Sequence, residues 1–249
     1  MLQQVDFGDG RVDEWEDFSE ATVTTLHSAE RFDPADFDFR MWLGWNATRQ
    51  RIYLSLLAAD DLYVRSDGLQ PFDVLTFMVD GDHSGGPFQF SGDERVQNSV
   101  QAQQWSAPGT LAEGPVSFSC FCRARQGWED RPPYADGGTG AMSENPTLWH
   151  VEFYFTPFDA WIWDDEESTV VSELEAGKVI GLFLGIADGD SQSSPWARFS
   201  IPEVSEDACC PSSNADAFGD ALLLGAGGDL PDESAVRSDS WGRIKASLR

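Results

Sequence analysis

Lysine is almost missing from this sequence. Among 249 residues there are only two, Lys178 and Lys245, and 16 basic residues stand against 43 acidic ones, a formal net charge of −27. That balance excludes nucleic acid as a partner, because its phosphates would be repelled over most of the surface. An anionic membrane surface is disfavoured for the same reason. No apolar run approaches the ~18 residues a bilayer span needs, so membrane insertion is not expected. The opening MLQQVDFGDG lacks the basic and apolar regions of a signal peptide. Histidine is scarce as well: His27, His83 and His150 form no HExxH pattern, which argues against a zinc hydrolase. GxSxG, Walker A and GxGxxG signatures are absent, and no CxxCH exists for covalent haem. Paired carboxylates are one route to glycoside cleavage, and Glu152 lies mid-strand where such a group would sit. Glutamates in alternating strands ordinarily face solvent, however, so no enzyme is expected.

What is present suffices for a core, with 41% hydrophobic and 12% aromatic residues. Strand signals dominate. FRMWLGWN (39–46) and RIYLSLLAA (51–59) flank ATRQ as a hairpin, and DVLTFMVD (73–80) is a third β-rich run. VSFSCFCRA (116–124) alternates, as does LWHVEFYFT (148–156), which puts Trp149, Val151, Phe153 and Phe155 on one face. VIGLFLGIAD (179–188) is apolar throughout, as a central strand should be. WARFSIP (196–202) and FGDALLLG (218–225) complete the set. Residues 127–146 are polar and glycine-rich and read as a surface loop, and 158–177 holds the one short helix candidate. The expected fold is therefore all-β: a single-domain antiparallel β-sandwich, jelly-roll or immunoglobulin-like, with at most one short helix. The domain is expected over 1–226. Residues 227–249 read as a tail or linker with an amphipathic end at Trp241, Ile244 and Leu248.

Cysteine occurs as two close pairs, Cys120 with Cys122 and Cys209 with Cys210. Their spacings match none of the common zinc knuckles. A strand puts Cys120 and Cys122 on one face, so one disulfide across the pairs is easier to build than two; free thiols and a metal site are the alternatives. Disulfides favour an extracellular or periplasmic location, while a start without signal-peptide features fits either a cytoplasmic protein or one whose signal was removed.

Acidic residues gather at the ends of strong strands. FMVDGDHSGG carries Asp80 and Asp82, IADGDS carries Asp188 and Asp190, and AADD carries Asp60 and Asp61. The first begins like a calcium loop, but Ser91 occupies the twelfth position where an EF-hand has glutamate. Two carboxylates one residue apart on a glycine-bearing turn still offer hard oxygen ligands to a cation. The alternative is that Asp and Gly simply make good turns.

Six segments in order resemble the family 9 carbohydrate-binding modules and their DOMON-like relatives: GDGRVDEW (8–15), WLGWNATRQRIYLSLLAADD (42–61), FDVLTFMVDGD (72–82), WHVEFYFTPFDAW (149–161), GKVIGLFLGIADGD (177–190) and DAFGDALLL (216–224). The resemblance implies an antiparallel sandwich, structural Ca2+ at acidic turns such as those above, and a carbohydrate site of facing tryptophans. This chain departs from the pattern at that site. GLQPFD offers Phe72 where the family has one tryptophan, and CCPSSNADAFG has no aromatic before Phe218 where it has the other. Trp105, Trp128, Tyr134 and Trp196 lie in polar contexts and are candidate substitutes. Arg95, Gln97, Asn98 and Gln101 form a polar set near Trp105 that suits sugar hydroxyls. The site expected from this reading is Trp105, Trp128, Phe72, Arg95 and Asn98, with carbohydrate, mono- or oligosaccharide, as ligand. A sandwich that has lost the site and binds another protein is the rival. A haem-binding relative would need axial ligands, for which Met41, Met78, Met142 and His150 are available.

Overall fold

The structure, a computed structural model, describes residues 3–4, 27–28, 35–62, 74–88, 102–108, 117–118, 128–144, 147–162, 165–188, 197–201 and 214–225. One sheet runs in the order β1 (Gln3–Gln4), β3 (Phe37–Asn46), β4 (Arg51–Asp60), β9 (Thr147–Phe155), β8 (Ala135–Glu144). The other runs β2 (His27–Ser28), β13 (Ala197–Ile201), β12 (Val179–Asp188), β5 (Val74–Asp80), β6 (Gln103–Pro108), β7 (Ser117–Phe118). β14 (Gly219–Leu222) joins β12 on the edge that β13 also uses. A small ribbon pairs β10 (Phe158–Ala160) with β11 (Val170–Val171). Every pairing is antiparallel except the parallel contact of β1 with β3. The architecture is an all-β sandwich. No α-helix occurs among the described residues, only two short 3-10 turns at Trp128–Asp130 and Ala215–Ala217.

Alternation explains which faces meet. Met41, Leu43 and Trp45 on β3 stand beside Leu56, Leu54 and Ile52 on β4, and beyond these lie Val151, Phe153 and Phe155 of β9. The opposing sheet contributes Leu75, Phe77, Val79, Trp105, Ile180, Leu182, Leu184 and Ile186, all in one buried cluster. The period of two puts every second residue on this inner face. Phe77 meets Phe153 edge-on at 6.4 Å and Phe155 at 4.9 Å, tying the sheets together. Each such ring contributes roughly 1.5–3 kcal/mol through burial. A second cluster, Met78, Phe88, Ala102, Phe183, Ala215 and Phe218, covers the outer face of the larger sheet. Met41 and Met78 thus belong to different clusters on different sheets and cannot be the two axial ligands of one haem.

Two expectations need correction. The described residues of the glycine-rich stretch 127–146 are not a loop: after the 3-10 turn they form β8, which pairs along β9 at the sheet edge. Backbone amides make that ladder, and Thr139 is the one β-branched residue along β8, so side-chain composition hid it. Nor do the described residues of 158–177 form a helix. They make β10, a turn and β11, in which Asp165 Oδ1 accepts from Ser168 N at 3.1 Å and the β-branched Val170 and Val171 extend the chain. The tail 227–249 lies outside the described residues.

Candidate functional site

Register divides the acidic motifs between the two ends of the sandwich. Asp80 pairs with Gly181 near the start of β12, whereas Asp188 closes that strand opposite Ala197. Seven residue steps of strand separate Gly181 from Asp188, roughly 23 Å at about 3.3 Å per residue, so no single cation bridges the two turns. Asp60 ends β4 at the far end, opposite Phe37. The near end gathers the Asp80 turn, the β3–β4 turn, the β10–β11 ribbon and the chain leaving β9: Ser172 N donates to Pro157 O, and Thr156 N donates to Tyr134 O.

At this near end Asp80 is buried while Asp82 is exposed. Asp80 Oδ1 accepts from Ser84 N at 3.2 Å and Oδ2 from Gly85 N at 2.8 Å, and Asp82 Oδ1 also accepts from Ser84 N at 3.0 Å. Burial pushes the Asp80 carboxyl up to about 6; the Gly85 amide opposes this and neighbouring Asp82 reinforces it. Asp82 is itself raised by burial, but bonds from Ser84 and Asp80 and the charge of Lys178 outweigh that and lower it. His83, at φ 57°, places Nε2 3.0 Å from Asp220 Oδ1, and Asp220 also pairs with Gly181. A Cβ at Gly181 would sit 3.0 Å from Asp80 Cβ, so glycine is what lets the turn lie over β12. Gly86 N donates to Asp216 Oδ1 at 2.9 Å.

Calcium takes six to eight oxygens. Among the described residues no group of three or more His, Cys, Asp or Glu is arranged to hold a metal. Asp80 and Asp82 supply a pair of carboxylates already engaged by backbone amides, fewer donors than such a shell takes. At the far end, Asp60 is buried and accepts from Leu62 N through Oδ1 at 2.9 Å, and Asp61 is exposed. Nothing is described of the side chain of Asp188, and Asp190 lies outside the described residues.

The aromatics separate sharply. Trp105 was expected to be exposed, but it lies on β6, 1% exposed, and stacks on Phe155 at 4.2 Å. With its ring inside the core it has no face for a sugar, and this assignment is corrected. QQWSAP is a strand whose inward residues include Gln103, a polar side chain that disguised the alternation. Gln103 is fully buried yet satisfied: Nε2 donates to Phe158 O at 2.8 Å and Oε1 accepts from Phe158 N at 3.0 Å.

Trp128 is partly exposed, as a ligand platform requires. It meets Tyr134 edge-on at 4.9 Å and Phe158 at 5.5 Å, and Tyr134 lies 5.7 Å from Phe158. The segment between the two partly exposed rings is held by Tyr134 N donating to Arg131 O at 2.8 Å and by Arg51 Nη2 donating to Pro133 O at 2.7 Å. Tyr134 Oη donates to Glu166 Oε1 at 2.9 Å. Burial, then this carboxylate, raises the phenol above its ordinary value and keeps it a donor. Behind the corner, the Arg51 guanidinium lies 3.9 Å over the Tyr154 ring. Phe72, Arg95, Asn98, Trp196 and all four cysteines, Cys120, Cys122, Cys209 and Cys210, lie outside the described residues.

Glu166 is missed by sequence reasoning, since nothing signals a partner 32 residues from Tyr134. Glu152 is corrected: on the outward face of β9 it is buried at 3% exposure beside fully buried Ser55 of β4, not facing solvent.

No protein-family model matches this chain, and no curated protein sequence matches it. Solved structures do. A family 9 carbohydrate-binding module from Caldicellulosiruptor kristjanssonii in complex with glucose is 13% identical at a TM-score of 0.57, over 93% of this chain and 98% of that one. A family 9 carbohydrate-binding module from the same organism in complex with cellotriose is also 13% identical at 0.57, over 95% and 96%. At this identity the likeness is one of fold. The chain has the sandwich of the family 9 modules.

Proposed function

We propose that this sandwich is a non-catalytic carbohydrate-binding module whose sugar platform is the partly exposed pair Trp128 and Tyr134. That pair is the observation carrying the reading, because one fold hosts many functions and a site must be argued from its residues. A pyranose presents apolar C–H faces that stack on an aromatic ring, and hydroxyls at its rim need fixed polar partners. Trp128 offers ring surface, and Tyr134 with Glu166 offers a hydrogen-bonding arm beside it. The fold likeness to modules solved with glucose and cellotriose supports the ligand class. Calcium belongs to the proposal as a stabilising ion at Asp80 and Asp82 or at Asp60 and Asp61. Backbone carbonyls, water and residues outside the described set would have to complete either shell. Work outside the cytoplasm fits such a module and the expected disulfides.

Calorimetric titration of glucose and cello-oligosaccharides in calcium tests the sugar reading. Binding is expected for the native protein, with at least a tenfold loss in Trp128→Ala and retention in Trp128→Phe. A flat titration with every saccharide overturns it. A thermal melt with and without EDTA tests the ion, since a ligand held only by the native state raises its Tm. The buried Trp105 favours a second reading, in which the sugar site has gone and the sandwich binds another protein. No sugar binding together with an unchanged EDTA melt is the result that would select it.

A further inference from the structure

The arm beside the aromatic pair is strongly charged. Glu166 sits on the exposed turn 165–168, which carries Asp165, Glu166 and Glu167. This turn is built rather than loose: Asp165 N donates to Ile162 O at 3.2 Å, Ser168 N to Asp165 Oδ1 at 3.1 Å, and Thr169 Oγ1 to Asp165 O at 2.9 Å. Thr169 also anchors it to the ribbon, its Oγ1 accepting from Ile162 N at 3.0 Å. On the aromatic side, among the described residues, stand three arginines. Arg131 is exposed between Trp128 and Tyr134, Arg51 is committed to Pro133 O and the Tyr154 ring, and Arg49 is committed to Tyr53. Three carboxylates against one uncommitted guanidinium leave the corner negative, on a chain whose net charge is −27.

Resting on the reading of this corner as the sugar site, we propose that the 165–167 turn makes it selective for neutral and amino sugars and against uronic acids. Glu166 binds Tyr134 through Oε1, and an ionised carboxylate is an acceptor only, suited to sugar hydroxyls and to an ammonium group. The same charge repels a sugar carboxylate. Ring centroids 4.9 Å apart and a 2.9 Å hydrogen bond keep a ligand on Trp128 and Tyr134 close to Glu166. The Debye length at 0.15 M salt is about 8 Å, so the repulsion is only partly screened there.

The test titrates the full chain in calcium with three probes: cellotriose, a glucosamine trimer, and cellotriose oxidised to the C6 uronic acid. Each is measured in low salt and again near 0.5 M NaCl, on native protein, Glu166→Gln and Tyr134→Phe. The uronic trimer should bind about tenfold or more weaker than cellotriose. High salt and Glu166→Gln should each narrow that gap, and Tyr134→Phe, which keeps the charge, should preserve it. A merely structural role for Glu166 would weaken all three probes alike. Equal affinity for the neutral and uronic trimers overturns the selectivity while leaving the sugar site standing. So does a gap that neither salt nor Glu166→Gln changes. Failure of all three probes to bind overturns the sugar reading and this inference with it.

Discussion

Trp105 of β6 and Phe155 of β9 stack across the sandwich, their ring centroids 4.2 Å apart and their planes 29° from parallel. One of the two tryptophans that the sequence offers equally as a sugar platform is therefore a bolt between the two sheets. Trp105→Ala should lower stability by about 3–5 kcal/mol, the usual cost of emptying a large aromatic site. Chemical denaturation measures it. If the chain binds sugar as proposed, the variant should do so equally below its lowered Tm; an unchanged midpoint with lost binding would return Trp105 to the ligand site.

Asp80 gives stability a specific pH dependence. Its folded value of about 6 lies above the ordinary 3.8, so the native state holds this proton more firmly than the unfolded chain. The contribution of Asp80 is full below about 3.8, falls as pH rises through the window to about 6, and is level above it. Asp82, held low, works the other way, its contribution being lost only as pH falls through its lowered value. In EDTA, Asp80→Asn should gain stability relative to the native chain between pH 4 and pH 7. A cation needs the ionised pair, so if calcium binds here its effect on Tm should be larger near pH 7 than near pH 5. Melts at these three pH values, with and without calcium, measure both effects.

Much of the fold was legible because alternation and apolar runs are local signals. RIYLSLLAA and VIGLFLGIAD became β4 and β12 almost to the residue. β8 was not legible, because the composition of ADGGTG says loop while the ladder to β9 is made by backbone groups indifferent to side chains. The site was legible only in part. Trp128 and Tyr134 announce themselves as aromatics in a polar segment. Burial of Trp105 depends on Gln103 being satisfied by Phe158, 55 residues away, and no local pattern encodes that. Likewise, the similar words VDGD and IADGD suggested equivalent turns, and only the antiparallel register of β5 on β12 sends them to opposite ends.

Gly81 couples the acidic turn to the ribbon. A Cβ there would lie 2.0 Å from Ser172 Oγ and 2.7 Å from Ser172 Cβ, too close for either to remain in place. Ser172 is fully buried and its backbone is bonded to Pro157, so it has little room to retreat. Gly81→Ala should destabilise the chain by about 1–3 kcal/mol, the range for overpacking a tight interior. Gly81→Ala with Ser172→Gly should recover most of the loss. A double-mutant cycle by denaturation reads the coupling, and additive effects would show that the contact is not the cause.

Gln103 replaces a missing strand neighbour for β10. Its amide accepts from Phe158 N and donates to Phe158 O, the same pair of bonds a backbone partner would supply. Gln103→Leu keeps the approximate volume but strands both backbone groups in the core. An unsatisfied buried polar group costs about 1–3 kcal/mol, so a loss of roughly 2–5 kcal/mol is expected. Gln103→Glu retains the acceptor but buries a charge and should be worse near neutral pH than in acid. Phe158 packs on Trp128 and Tyr134, so loosening β10 should also weaken sugar binding at temperatures where the domain stays folded. Hydrogen exchange at the Phe158 amide distinguishes this from general destabilisation. In Gln103→Leu that amide should exchange faster while amides in the β4–β9 ladder keep their relative protection. Uniform loss across the sheet would instead mean that Gln103 supports the whole core and not the aromatic corner in particular.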